Sequence, residues 1–129
     1  MRQIFIFLAT LTLWVTCAAA PAPAHVRAEI DGLIAKLQSS GCEFNRNGSW
    51  YSGADAKTHL LRKLDYLEGK NLVPTTEKFI ELGASTSSSS GKPYLVRCGT
   101  GVAQESGKWL TQELKVIRAS RTPSASSTK

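Results

Sequence analysis

The chain has 129 residues, with 16 Lys or Arg against 10 Asp or Glu, so its formal net charge is +6; 42% of the residues are hydrophobic and 8% are aromatic. This length fits one small globular domain. It excludes a multidomain enzyme, a dinucleotide-binding fold and a membrane protein with several spans.

The first 24 residues have the three parts of a secretory signal peptide. Arg2 is their only charge, residues 4–15 form an apolar run, and residues 18–24 are small and interrupted by proline. The run is shorter than the roughly 20 residues that a membrane span needs, so we predict cleavage and no transmembrane anchor afterwards. Cleavage after Ala19 or after Ala24 fits the small residues, and we favour Ala24. This predicts a periplasmic or secreted protein.

The three cysteines have different expected fates. Lipidation of Cys17 is the less favoured alternative, because the preceding Trp-Val-Thr lacks the Leu and the small residue of a lipobox. If Cys17 is removed, Cys42 and Cys98 remain, and an even pair in an exported chain predicts a disulfide rather than two buried thiols. This bridge would close a loop of about 57 residues and contribute on the order of 4 kcal/mol.

The first predicted elements are a helix, a strand and a turn. Apolar residues recur at the spacing of one helical face and predict a helix over 26–39, which ends before Gly41. Residues 42–46 alternate and predict a short strand, which is followed by the turn dipeptide Asn47-Gly48. The apolar residues of the helix are Val26, Ile30, Leu33, Ile34 and Leu37.

Two further helices are predicted after the turn. Ser52 followed by Asp55 resembles a capping box at the start of a helix over 53–68. Residues 74–84 predict a short third helix, because Pro-Thr-Thr-Glu is a start signal and apolar residues follow it. The Ser-rich segment 85–91 predicts a loop, since serine hydroxyls compete with the backbone for hydrogen bonds.

The C-terminal part contains a second strand and a fourth helix. The β-prone residues 93–98 lie between Gly91 and Gly99 and predict the strand. The apolar residues within 104–118 predict the helix. Residues 119–129 are rich in Ser, Thr and Pro, and we predict a disordered tail.

The cysteines and the apolar residues agree on one pairing of the two strands. An antiparallel ribbon with the cysteines opposite each other sets Phe44 against Val96. The same register brings Arg46 beside Tyr94. We therefore predict one α+β domain over 25–118, in which four helices cover a two-stranded antiparallel ribbon in the order α-β-α-α-β-α.

Several short segments, in order, resemble the YfeK-like family of small exported proteobacterial proteins of unknown function. They span most of the mature domain, about residues 26–118. The resemblance implies a bacterial, periplasmic protein, and it carries over no catalytic residue. The matching segments are Phe44-Asn45-Arg46-Asn47-Gly48, Ala56 with His59-Leu60 and Lys63-Leu64, Phe79-Ile80, and Ser87 to Tyr94.

His59 is the one mid-chain histidine, with Asp55 one helical turn before it and Lys63 one turn after it. A small hydrolase or transferase that uses His59 with a loop serine is therefore an alternative function. We favour a hydrogen-bonded structural histidine, since the sequence offers no metal-ligand cluster and no cofactor motif. Residues 90–94 are also similar to the S-G-x-x-Y element of periplasmic lysozyme inhibitors, a weaker alternative because those proteins are β-barrels.

The favoured hypothesis is a non-enzymatic binding or accessory protein of the cell envelope. Its partner would be an envelope protein or an anionic envelope ligand, and export argues against nucleic acid. The predicted register brings the polar candidates onto one surface. The candidate binding residues are Arg46, Asn47, His59, Lys63, Ser90, Lys92 and Tyr94.

Overall fold

The computed structural model describes residues 21–121, which form four helices and four strands. Residues 1–20 of the predicted signal peptide (1–24) and residues 122–129 of the predicted tail (119–129) lie outside the described residues. Within the described part, no helix is both long and apolar enough to span a bilayer. The elements are α1 (Ala24–Ser39), β1 (Glu43–Arg46), β2 (Ser49–Tyr51), α2 (Gly53–Gly69), α3 (Thr76–Gly83), β3 (Leu95–Arg97), β4 (Gln104–Glu105) and α4 (Ser106–Arg121).

Side-chain caps fix where α2 and α3 begin. The Ser52 hydroxyl accepts a hydrogen bond from the Asp55 backbone N–H at 3.2 Å, and the Thr75 hydroxyl accepts one from the Lys78 N–H at 3.2 Å. Each cap satisfies a donor that the first helical turn leaves unpaired. The predicted start of α2 is confirmed.

The turn after β1 is a two-residue hairpin. Asn47 and Gly48 have φ angles of 52° and 86°, the left-handed conformations that a type I′ turn requires. The hairpin pairs β1 with β2 in antiparallel register, with Arg46 opposite Ser49. The predicted two-stranded ribbon is therefore wrong: the sheet has four strands in the order β2-β1-β3-β4. The sequence does not predict β2, because its three residues are too few to show the alternation of apolar and polar residues that identifies a strand.

The predicted pairing of β1 with β3 is confirmed. The strands are antiparallel with Phe44 opposite Val96, and the Cys42–Cys98 disulfide ties their ends with a Cα–Cα distance of 4.2 Å. The last predicted helix differs at both ends. Residues 104–105 pair with β3 as the edge strand β4, and α4 continues to Arg121, three residues into the predicted tail.

The apolar core lies between one face of the sheet and the four helices. Phe44 and Val96 point from the sheet into this core, and the Phe44 ring meets the edge of Trp109 at a centroid distance of 5.8 Å. The five apolar residues that predict the first helix are all buried. Fully buried side chains in the core include Ile30, Leu33, Leu37, Leu64, Phe79, Val96, Leu110 and Leu114.

One buried carboxylate joins three helices, in what we call the Glu29 cluster, formed by Glu29, Thr76, Glu77 and Arg118. Glu29 is 7% exposed, and its carboxylate accepts hydrogen bonds from the Thr76 hydroxyl at 2.6 Å and from Arg118 at 2.8 and 3.0 Å. Arg118 also donates to Glu77. The Arg118 hydrogen bonds lower the pKa of Glu29 to about 2. The cluster therefore holds α1, α3 and α4 together through compensated charges.

Candidate functional site

A group of polar side chains lies between the open end of the sheet and α2. Arg46 is the last residue of β1, and it shares the helix-facing side of the sheet with Phe44 because strand side chains alternate. His59 and Lys63 are four residues apart in α2, so they lie on one helical face. Tyr94 immediately precedes β3 and is buried. The β1–β3 register places the end of β1 near Tyr94, and the packing of α2 against the sheet adds the face that carries His59 and Lys63.

These four side chains form one hydrogen-bonded network. Arg46 Nη1 lies 2.5 Å from His59 Nδ1, and His59 Nε2 lies 3.0 Å from the Tyr94 hydroxyl. Lys63 Nζ donates to the same hydroxyl at 3.2 Å. Because a guanidinium can only donate, His59 Nδ1 accepts and the ring carries its proton on Nε2. The Tyr94 oxygen accepts from both His59 and Lys63, so its own proton is directed to a third group.

Burial and neighbouring cations decide the charges in this network. Burial, together with the charges of Arg46, Lys63 and Arg62, lowers the pKa of His59 to about 4, so the ring is neutral at pH 7. Burial and the charge of Arg46 also lower the pKa of Lys63. Burial raises the pKa of Tyr94, against the effect of Arg46. The network therefore holds two cations, a neutral histidine and a neutral phenol.

The Ser-rich loop is held to the hairpin turn by Asn47. The Asn47 amide donates to the Ser87 hydroxyl at 3.1 Å and to the Ser89 hydroxyl at 3.4 Å, and it accepts from Ser90 at 2.6 Å. The Ser87 N–H donates to the Lys92 carbonyl at 2.9 Å. The predicted loop is therefore ordered by a turn residue distant in sequence, and its hydroxyls face the network.

A cavity of about 420 Å³, which we call the polar cleft, opens beside the network. None of its lining residues is a carboxylate, and neither Arg46 nor Lys63 forms an ion pair within residues 21–121. Arg46 instead contacts the His59 ring, and Lys63 Nζ donates to the Tyr94 hydroxyl and to the Thr86 carbonyl. The lining residues are Arg46, Asn47, Ser49, Tyr51, His59, Lys63, Ser87, Ser88, Ser89 and Tyr94.

A second cavity of about 360 Å³, which we call the apolar cavity, adjoins the polar cleft. Both cavities are lined by Arg46, Tyr51, His59 and Tyr94, so these side chains form the wall that the cavities share. The rest of the apolar cavity is mainly hydrophobic. It is lined by Leu37, Phe44, Ala56, Leu60 and Ala84, with Asn45, Asp55, Thr58, Arg62 and Ser106 also contributing.

The structure brings together most of the candidate residues, with two differences. Ser90 does not line the polar cleft, but its hydroxyl donates a hydrogen bond to Asn47, which does. Lys92 is exposed in the loop and does not line the cleft. Tyr51 was missed, although the Arg46 guanidinium lies 4.9 Å from its ring centroid. The Asn-Gly turn is itself a signal for a hairpin, and a second strand after it places Tyr51 opposite Phe44, on the same side of the sheet as Arg46.

The contacts of His59 bear on the enzymatic alternative. Its two ring nitrogens contact Arg46 and Tyr94, whereas the loop hydroxyls of Ser87 and Ser89 bond Asn47 and each other. Among residues 21–121, no group of three or more His, Cys, Asp or Glu side chains is arranged to hold a metal ion. Within residues 21–121, the hydrogen bonds of His59 join it to Arg46 and Tyr94, and none joins it to a loop serine.

The fold and the site define a small disulfide-bonded α+β domain with a basic cleft between a sheet end and a helix. The chain belongs to a family of unknown function, DUF5329, whose model matches residues 24–118. It is similar to the uncharacterized protein YfeK of Salmonella typhimurium, at 38% identity over 88 residues, which is 67% of this chain and 68% of the relative. No solved structure matches the chain. The resemblance to the YfeK-like family is confirmed, and it assigns no activity.

Proposed function

We propose that the protein is an exported, non-enzymatic binding protein that holds an anionic ligand in the polar cleft. One observation carries the proposal: Arg46 and Lys63 are half-buried beside each other with no carboxylate partner within residues 21–121. Burying a charge costs free energy unless an opposite charge or a strong hydrogen bond compensates it. An anionic ligand would supply that compensation.

The neutral groups of the cleft also suit an oxyanion. The neutral His59 keeps Nδ1 as an acceptor for Arg46, which fixes one edge of the guanidinium. The Tyr94 hydroxyl has its own proton left to donate, and the Ser87 and Ser89 hydroxyls are held nearby by Asn47. Hydrogen bonds from such donors to an anion are stronger than those between neutral groups.

Binding of inorganic phosphate tests the proposal. The probe is phosphate titrated into the mature protein and followed by amide chemical shifts, with Lys63→Met as the test variant. We expect Lys63→Met to weaken phosphate binding at least tenfold, because it removes one of two cations from the cleft. The matched control is Lys115→Met, which removes the same charge from an exposed position of α4. Equal phosphate affinity in all three proteins, or no binding by the unmodified protein, would refute the proposal.

Export is supported by the disulfide, because such bonds persist in oxidising compartments. The structure bears on the choice of cleavage site. Ala22 is buried, and its N–H donates to Glu68 Oε1 at 3.4 Å, while α1 begins at Ala24. Cleavage after Ala19 would keep these contacts, and cleavage after Ala24 would remove them. We therefore propose cleavage after Ala19, and the intact mass of the protein purified from the envelope tests it.

A further inference from the structure

We infer that the ligand is a small amphipathic oxyanion, with its charged head in the polar cleft and its apolar body in the apolar cavity. This inference rests on the proposed function and names the ligand class for the same site. It starts from the lining that the two cavities share, because three of its four side chains, Arg46, His59 and Tyr94, are also members of the hydrogen-bonded network. A molecule that occupies both cavities around these side chains would match the two linings if it were polar at one end and apolar at the other.

The two sides of the wall differ in chemistry. On one side the lining is hydroxyl, amide and cationic, and on the other it includes Leu37, Phe44 and Leu60. Asp55 is the one carboxylate among the residues that line the apolar cavity, and it is exposed in the first turn of α2. An apolar body would gain free energy by replacing water there. An inorganic anion would leave this cavity unfilled.

The volumes limit the size of the ligand. The apolar cavity, about 360 Å³, is near the lower end of the range of roughly 300–1,000 Å³ that small-molecule sites occupy. A methylene group is similar in size to a water molecule, about 30 Å³ in the liquid, so the cavity accepts a chain of roughly ten such groups or one aromatic ring. The head is a carboxylate or a phosphate ester, since both present the oxygen acceptors that Arg46 and Lys63 match.

The test compares octanoate and octyl phosphate with acetate, inorganic phosphate and octanol, using calorimetry on the mature protein. We expect octanoate to bind at least tenfold more tightly than acetate, and octyl phosphate at least tenfold more tightly than inorganic phosphate. Octanol lacks the charge and should bind at least tenfold more weakly than octanoate. The tighter of the two amphiphiles identifies the head group.

A matched pair of variants locates the apolar body. Ala56→Leu fills the apolar cavity and should weaken octanoate binding at least tenfold while phosphate binding stays unchanged. Ala54→Leu adds the same volume at an exposed position of the same helix and should change neither. If Ala56→Leu does not fold, amide shifts of the unmodified protein replace it. Octanoate should then shift Ala56, Leu60 and Ala84, and phosphate should leave them unchanged.

The outcomes separate this inference from the proposed function. If phosphate binds and Lys63→Met weakens it, but octanoate binds no more tightly than acetate and octyl phosphate no more tightly than inorganic phosphate, the anion-binding function stands and the amphipathic ligand is refuted. Equal binding of octanol and octanoate also refutes it, because the head would then contribute nothing. If none of the anions binds, the proposed function fails and the inference fails with it.

Discussion

The Glu29 cluster and the polar cleft both place an arginine at a junction between secondary structure elements, but they compensate its charge differently. In the Glu29 cluster, Arg118 contacts two carboxylates, and hydrogen bonding lowers the pKa of Glu29 to about 2. In the polar cleft, Arg46 contacts a neutral histidine and the face of Tyr51. The first arrangement satisfies its charges internally, and the second leaves positive potential available to a ligand.

This difference shows how similar residues serve different purposes in one small domain. The Glu29 carboxylate is charged in the fold because Arg118 and Thr76 stabilise the ion. His59 is neutral in the fold because burial and the nearby cations destabilise the ion. The first region should therefore contribute stability, and the second should cost some. The following predictions test that contrast, from the largest expected effect to the smallest.

The Cys42–Cys98 disulfide lies outside both regions, and its removal should have the largest effect on the free energy of unfolding. Replacing both cysteines by serine should lower the free energy of unfolding by about 4 kcal/mol, because the unfolded chain loses a long-loop constraint. Urea unfolding of the double variant and of the oxidised unmodified protein measures the difference. A change below about 1 kcal/mol would show that the bridge does not constrain the unfolded state.

Glu29→Gln should lower the free energy of unfolding at pH 7 by about 2 kcal/mol, because the neutral amide cannot form the ion pair with Arg118. The effect is not larger because Arg118 is partly exposed and solvent screens its charge. The folded pKa lies below the ordinary value of 4.5, so this contribution is present above pH 4.5 and is lost as the pH falls to about 2. The variant should lack that acid-side loss. Glu81→Gln, which breaks an exposed pair with Lys78, is the control and should cost below about 0.5 kcal/mol. Equal losses in both variants would contradict the role of the cluster.

His59→Gln should change the pH dependence of stability in a different window. The folded pKa of about 4 lies below the ordinary value of 6.5, so His59 binds a proton in the unfolded chain before it does so in the fold as the pH falls. Above pH 6.5 protonation of His59 does not reduce the free energy of unfolding, and towards pH 4 it should reduce it by about 1 kcal/mol. The reduction is this small because His59 is partly exposed and solvent screens the nearby charges. The variant should lose this slope, while His25→Gln, at an exposed position, should keep it. Unfolding measured at several pH values checks the prediction, and an unchanged slope in His59→Gln would refute it.

Lys63→Met should raise the free energy of unfolding slightly, by about 0.5 kcal/mol. The substitution removes a cation whose pKa is lowered by burial and by Arg46, and it keeps an apolar side chain against the Tyr94 ring. Lys115→Met on the exposed side of α4 is the control, for which no change is expected. Urea unfolding measures both variants. A loss above about 1 kcal/mol in Lys63→Met would mean that this lysine stabilises the fold, as Arg118 does.

The sequence predicted the parts of the site that depend on local pattern. Cap residues placed α2, and the Asn-Gly dipeptide placed the hairpin turn, because both signals act through backbone groups nearby in sequence. The cysteine pair and the apolar alternation predicted the register that brings the end of β1 to Tyr94. Lys92 was grouped with the site because it is close in sequence to Tyr94, but the loop turns it outward.

Other features had no local signal. The strand β4 has two residues and exists because β3 offers it an edge to pair with. The Glu29 cluster joins residues 89 positions apart, and neither its helix nor its charge pattern marks Glu29 as buried. Tyr51 belongs to the site because it pairs across the hairpin with Phe44. Such contacts depend on distances that only the packed chain defines.

The sequence by itself determined the start of α2, the β1–β3 register and the polar residues near the turn, because these follow from capping chemistry, hydrophobic period and composition. The tertiary structure alone decided which cations have carboxylate partners and which do not. It also decided that a polar cleft and an apolar cavity share one wall. The physical reason is that charge compensation and cavity shape depend on side chains from α2, the hairpin and the Ser-rich loop meeting at short range, and nothing in local sequence encodes those distances.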